Sequence, residues 1–302
     1  RSSDLTMVEN NVPIGNVGHL VQIPRAALKK ILSAKPKIVT VYSLEKAREI
    51  SRVCTELGLH QKLMLRVLGE NDMLYSGQYG GFTLAELEQT VHAIENMPGV
   101  EVGGVCSFPC FLYDEAAGDI LPTPNLSTVQ TAARMLTAWG YKDLMRNTPS
   151  ATCVHSIPKI AAAGGTHGEP GHGLTGTTPY HAAHPDAEER PGYLYVSEVS
   201  HDLGTKSYCY GGGHYRRGHM KNALVGTTLE DAKIVPVLPP DDSSIDYHFE
   251  LQQNCPVSAA AVMAFRTQFF VTRSRVAVVK GLSEGKPELA GIYSALGDPA
   301  RE

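Results

Sequence analysis

An α/β domain followed by a mostly β domain is the fold class this sequence predicts, and two observations predict it. Short apolar, β-branched runs alternate with amphipathic stretches up to about residue 175, the pattern of βα units around a parallel sheet. Beyond about residue 190 the chain becomes a series of short β-like runs between turns, with little helical periodicity. About six strands precede residue 175, which suits either an open doubly wound sheet or a barrel lacking two units. No Gly-x-Gly-x-x-Gly follows the first strand, so nothing favours a dinucleotide site.

The elements read as follows. Residues 17–23 form a strand and 25–32 a short helix. Residues 38–42 are β-rich, and 44–57 carry Leu44, Ala47, Ile50, Cys54 and Leu57 at helical spacing. A strand at 63–68 leads into a Gly-rich loop over 69–81. A helix at 84–97 is stopped by Pro98-Gly99. A strand at 102–108 precedes a helix at 128–139, with Asn125 or Ser127 as its cap. A strand near 144–153 and a helix at 157–163 complete the first domain, placed at residues 1–185. Residues 181–192, rich in His, Pro and acids, read as a linker or loop. The second domain, residues 186–302, has β-like runs at 193–199, 234–238, 247–251, 257–265, 269–271 and 275–279.

Bulk composition narrows the function. The chain has 302 residues, 42% hydrophobic and 19% charged, with a net charge of −4. That balance is ordinary for a soluble globular protein and gives no reason to expect nucleic acid or a membrane surface as a partner. No apolar run approaches the roughly 20 residues of a membrane span, and the first ten residues lack a signal peptide's apolar centre. Six cysteines without dense spacing fit a reduced, cytoplasmic protein. Cys106 and Cys110 read as buried thiols rather than a metal or disulfide pair.

The segment from Thr166 to Gly176 carries the chemistry. It holds Glu169, His167, His172 and four glycines in eleven residues. Glycines let backbone N–H groups approach an anion, so an acid beside such a cradle suits a ligand with a phosphate at one end and a basic nitrogen elsewhere. Seven histidines lie between residues 167 and 219, but none forms a tight HxxxH or HxH pattern with a carboxylate, so no metal site is assigned. His181 and His184 read as solvated. Arg216 and Arg217 are candidates to clamp a substrate carboxylate. Asp241 to Ser244 read as a capped turn, and Asp246 as either a site residue or half of a surface ion pair.

Several motifs then carry a resemblance. Gly18-His19-Leu20-Val21-Gln22-Ile23-Pro24, Leu121-Pro122-Thr123-Pro124-Asn125-Leu126, Pro149-Ser150-Ala151-Thr152, Glu169-Pro170-Gly171-His172, Tyr208-Cys209-Tyr210-Gly211-Gly212-Gly213 and Arg266-Thr267-Gln268 occur in that order across essentially the whole chain. They resemble the YhfX family of alanine-racemase-like (fold type III) pyridoxal-phosphate-dependent proteins. The resemblance implies a TIM-type (β/α)8 barrel followed by a β domain. It also implies an isomerase acting through Cα deprotonation of an amino acid aldimine, in a homodimer. A decarboxylase or lyase, or a non-catalytic pyridoxal-phosphate carrier, is the alternative.

Residue by residue, the resemblance puts the backbone of Gly171 and His172, with Ser150 and Thr152, on the cofactor phosphate. Glu169 stands where alanine racemases place an Arg facing the pyridine nitrogen, as in the ornithine and diaminopimelate decarboxylases. A carboxylate there favours a protonated pyridinium, the stronger electron sink. Tyr210 resembles the second acid/base, which reaches the partner subunit's site. Gln78 is the nearest substitute for the Arg that faces the phenolic oxygen. The Schiff-base lysine lies on the family's first strand, and the segment from Val17 resembles about the third. The first two strands and that lysine are therefore expected to be missing here, leaving the chain alone inactive. None of its thirteen lysines matches the motif.

Overall fold

The computed structural model describes residues 2–215, 218–241, 243–267, 269 and 272–300. It divides into two compact units, Arg1–Leu174 with Thr178–Glu189, and Thr175–Thr177 with Arg190–Glu302.

In the first unit α1 (Ser2–Glu9) precedes β1 (Asn16–Val17), α2 (Arg25–Ser33), β2 (Ile38–Val41), α3 (Leu44–Leu57), β3 (Gln61–Leu68) and β4 (Phe82–Thr83). There follow α4 (Leu87–Glu95), β5 (Val100–Cys106), a hairpin of β6 (Phe111–Asp114) and β7 (Asp119–Pro122), α5 (Pro124–Ala138), β8 (Met145–Asn147), α6 (Ile157–Ala162) and α7 (Pro179–Ala183). The strands pair in the order β1-β2-β3-β5-β8, all parallel, with β4 added to β3. His167 then bridges Asn147 in parallel, so the chain around it takes the next strand position. Spatial order follows sequence order without reversal, as in a barrel and unlike a doubly wound sheet. The sheet curls enough that Asn16 on its first strand donates to Glu169, just past its last position, at 3.1 Å. The unit is an arc of a TIM-type barrel.

Burial explains these elements. All four residues of β2 are buried, as expected of a parallel strand covered on both faces. The Ser43 side chain caps α3 by accepting from Lys46 N, Gly58 ends it at φ 63°, and Ala47, Ile50 and Cys54 face the core. Thr83 and Glu86 form a capping box ahead of α4.

Several expected bounds are corrected. The run from Val17 yields only a two-residue strand, because Gly18 turns at φ 91° with its Cα against the Thr40 carbonyl, where a Cβ would lie 2.7 Å from the oxygen. The run from Leu144 pairs only over Met145–Asn147, after which Pro149 offers no N–H. The cap of α5 is Thr123 with Pro124 in the first turn, not Asn125 or Ser127. Asn125 is instead buried, holding Met73 N and O. The supposed linker begins inside α7, and its histidines are held by protein groups: His181 is buried against Thr178 and Glu189, and the half-buried His184 stacks on Tyr180.

In the second unit β9 (Tyr195–Asp202), β10 (Ser207–Tyr210), β11 (Asn222–Gly226), β12 (Lys233–Leu238), β13 (His248–Leu251) and β14 (Ala260–Met263) close an antiparallel barrel in the order β10-β13-β12-β11-β14-β9. Inward residues such as Val199, Cys209, Val225, Val235, Phe249 and Met263 fill it. β15 (Val276–Lys280) and β16 (Glu288–Tyr293) form a separate hairpin.

Candidate active site

The polar side chains of the first unit gather at the C-terminal ends of its strands, the end at which barrels of this type carry their sites. Glu169 is the centre. Its Oε1 accepts from Asn16 Nδ2 at 3.1 Å and from the buried Asn147 Nδ2 at 2.8 Å. Thr40 Oγ1 donates to Asn16 Oδ1 at 2.9 Å, so three strand ends fix one carboxylate. The backbone N–H of Glu169 donates to Thr152 Oγ1 at 3.1 Å. Two amides on one oxygen leave Oε2 outside that pair of bonds.

The residues expected around a phosphate lie on the same side. Thr152 is buried beneath the Gly-rich segment, and a Cβ on Gly168 or Gly173 would fall 2.8 Å from its Cγ2 or 2.2 Å from its backbone oxygen. Those two glycines permit close packing of the segment on 150–153. Gly171 differs, because a Cβ there would meet nothing within 4 Å. Ser150 and His172 are half-buried. Ser156 is spoken for, since its buried hydroxyl donates to the Ala151 carbonyl and accepts from Cys153 N.

Arg66 is the residue the sequence reading missed. It lies on β3, fully buried, with Nη2 donating to the Gln78 backbone carbonyl at 2.8 Å and Cζ lying 4.8 Å from the Tyr42 ring centroid. Its Nε and Nη1 have no partner among the described residues. The Gln78 loop therefore contributes a carbonyl that orients a cation from the strand. The side-chain Oε1 of Gln78 is buried and unpartnered among the described residues. Asp72 pins this loop by accepting from Gly69 N and Thr128 Oγ1 at 2.9 and 2.7 Å. The signal for Arg66 was present in the sequence, as a lone charge inside the apolar run Leu63-Met64-Leu65-Arg66-Val67-Leu68.

His19 follows β1. Both ring nitrogens are buried without a partner among the described residues, and the ring meets Phe108 edge-on at 5.5 Å. The Tyr42 hydroxyl donates to the His19 carbonyl. Burial pulls the His19 imidazole below its ordinary range, Glu169 opposes that, and Arg66 adds to it. Burial also pushes the Cys106 thiol up to about 12.

In the second unit Tyr210 ends β10 with 53% of its surface exposed, and its ring neighbour is His248. Asp246 pairs with Arg273 at 2.8 Å and accepts from the backbone N–H groups of Gly212 and His214, which shapes the loop after Tyr210. Arg216 and Arg217 lie outside the described residues. Among the described residues, no three His, Cys, Asp or Glu side chains converge as a metal site would require. Lys62 is exposed at the start of β3, near Glu101 and away from the site end of the strand.

Residues 13–179 match the alanine racemase N-terminal domain and residues 194–289 the YhfX-like C-terminal domain, so the chain belongs to the YhfX-like group of the alanine-racemase-like family. It is 46% identical over 289 residues to the uncharacterized protein YhfX of Escherichia coli (strain K12), covering 95% of this chain and 74% of that protein. In fold it is similar to alanine racemase of Clostridium difficile 630 in complex with cycloserine, with a TM-score of 0.64 at 14% identity over 98% of this chain and 82% of that one. D-threonine aldolase from Filomicrobium marinum gives 0.64 at 11% over 98% and 79%. D-threo-3-hydroxyaspartate dehydratase from Delftia sp. HT23 gives 0.54 at 14% over 82% and 70%. Among the described residues no helix is long and apolar enough to cross a membrane.

Proposed function

We propose that this chain carries the pyridoxal-phosphate site of a racemase-like enzyme that removes the Cα proton of an amino acid. The observation that carries the reading is Glu169, held by Asn16 and Asn147 beside a glycine with open space around it. The donor set fits the cofactor. Glu169, whose Oε2 lies outside the two amide bonds to Oε1, would face the pyridine nitrogen. Gly171, His172, Ser150 and Thr152 hold the phosphate. Arg66, oriented by the Gln78 carbonyl, supplies positive charge for the ring oxygen.

When bound, pyridoxal phosphate supplies an electron sink for the pair left at Cα, and a protonated ring nitrogen deepens it. The chain's own part is to bind, orient and hold protons. Glu169 keeps a proton on the ring nitrogen as its counter-charge. Tyr210 is the second acid/base, exposed as a residue reaching a partner's site in a homodimer would be. Arg216 and Arg217 receive the substrate carboxylate. The reading assigns the Schiff-base role to none of this chain's thirteen lysines. A second reading, decarboxylation or elimination, is favoured by Glu169 itself, since a strong sink serves those reactions as well.

Titration with pyridoxal phosphate, followed by absorbance, tests the reading. Saturable binding that inorganic phosphate competes with, and that Ser150→Ala weakens by about tenfold, is expected. No saturable binding overturns it. In deuterated water, deuterium at Cα in both enantiomers marks racemisation, and carbon dioxide release marks decarboxylation.

A further inference from the structure

We propose that His19 is the contact for the amino-acid part of the bound ligand, offering one hydrogen-bond donor and one acceptor to its carboxylate and amino nitrogen. The inference rests on the pyridoxal-phosphate reading and adds a residue to it.

Three observations carry it. First, both ring nitrogens are buried, and no described residue bonds to either. A buried polar group left unpaired costs about 1–3 kcal/mol, so two in one ring mark a position completed by something other than the protein's own groups. Second, the ring is aimed deliberately. Gly18 makes the turn that ends β1, the Tyr42 hydroxyl holds the His19 carbonyl, and Phe108 meets the ring edge-on at 5.5 Å. The same Tyr42 lies under the Arg66 guanidinium, so one aromatic ring sets both His19 and Arg66. Third, the charged groups facing the imidazole are Glu169 from beyond β8 and Arg66 from β3, with opposite effects on its charge. Burial decides the balance and keeps the ring neutral, which preserves one N–H and one lone pair.

The three polar features of pyridoxal phosphate already have partners: Glu169 for the ring nitrogen, Arg66 for the ring oxygen, and residues 150–152 with 171–172 for the phosphate. Arg216 and Arg217 are assigned to the substrate carboxylate only, and His19, whose two ring nitrogens are unpaired among the described residues, adds a donor and an acceptor for the substrate portion. An amino acid brings both complements of a neutral imidazole, an acceptor in its carboxylate and a donor in its N–H.

The experiment needs no turnover. Wild-type protein, His19→Leu and His19→Gln are titrated with pyridoxal phosphate and with N-(5′-phosphopyridoxyl)-L-alanine, a stable ligand carrying both cofactor and amino-acid parts. The expected result is that His19→Leu weakens the alanine adduct by about tenfold while pyridoxal phosphate changes less than about twofold. His19→Gln, which keeps a donor and an acceptor, restores most of that loss. Wild-type affinity for the adduct holds through the ordinary imidazole range and falls only at lower pH, where the buried ring gains a proton, and the His19→Gln affinity does not. The His19 imidazole resonances shift on adding the adduct. Equal weakening of both ligands, or an indifferent His19→Leu, overturns the inference and leaves the cofactor reading intact. A wild-type protein that binds neither ligand overturns both.

Discussion

Replacing Arg66 with Met should stabilise the free protein and abolish most of its response to pyridoxal phosphate. The guanidinium is fully buried, and no carboxylate among the described residues pairs with it. Removing it loses one charge-assisted hydrogen bond to the Gln78 carbonyl at 2.8 Å, worth about 1.5–3 kcal/mol. It also loses the contact over the Tyr42 ring, worth about 0.5–2 kcal/mol. Against these stands the desolvation of a charge with no counter-ion, several kcal/mol in real proteins. The opposing terms are comparable, and relief of the unpaired charge wins by about 1–2 kcal/mol. At about 2–4 °C per kcal/mol, the melting temperature of the free protein rises by roughly 2–8 °C. Wild-type protein at a hundredfold excess of pyridoxal phosphate over Kd should gain about 2.7 kcal/mol, and Arg66→Met should lose most of that gain. Thermal unfolding with and without the cofactor measures both. A variant destabilised by more than about 1 kcal/mol, with its cofactor response intact, would refute the reasoning and make Arg66 a purely structural residue.

Other outcomes separate ligand contacts from scaffold. Gly171→Ala should leave stability within about 0.5 kcal/mol, since its Cβ meets nothing, yet weaken pyridoxal phosphate at least tenfold by crowding the phosphate. Gly173→Ala should instead lower stability by about 2 kcal/mol or more, because its Cβ would lie 2.2 Å from the Thr152 oxygen; chemical denaturation distinguishes the two. Hydrogen bonds from Lys159 and then His155 hold Asp119 well below the usual carboxylate range. Its contribution is therefore full above about pH 4, the unfolded value, and lost as pH falls further. Asp119→Asn should flatten the acid limb of the stability curve, and an unchanged limb would show the contact to be solvent-screened. Borohydride treatment of the chain with pyridoxal phosphate should leave no site-specific adduct on its lysines by mass spectrometry. A single stoichiometric adduct that inorganic phosphate blocks would identify a lysine here as the reactive one.

Much of the barrel arc can be read from sequence, because burial there is periodic. The Leu44, Ala47, Ile50, Cys54 and Leu57 spacing gives α3 with the bounds Leu44–Leu57. Misreadings occur where one backbone contact overrides a pattern. Val17 to Ile23 is β-branched enough for a strand, but the turn at Gly18 cuts it short, and that contact with Thr40 is non-local. The site divides in the same way. Glu169 and the glycines around it share one local segment and are legible together. Asn16, Asn147 and Thr40 are scattered over three strands, and only folding brings them to one carboxylate. Gln78 is legible on its Gly-rich loop, but its contact with the buried Arg66 of the strand beneath, which donates to the Gln78 carbonyl, is non-local and is not. His181 and His184 looked solvated because their Pro- and acid-rich surroundings hid the short helix Pro179–Ala183 and the aromatic stack on Tyr180.

The central claim is that Glu169 is the counter-charge to a pyridine nitrogen. The most direct measurement is the 15N chemical shift of pyridoxal phosphate labelled at its ring nitrogen and bound to the protein near pH 8. The account predicts the shift of a protonated pyridinium in the wild-type protein and of an unprotonated ring in Glu169→Gln, with the phosphate still bound in both. An unprotonated ring nitrogen in the wild-type complex, or a protonated one that survives Glu169→Gln, would contradict it.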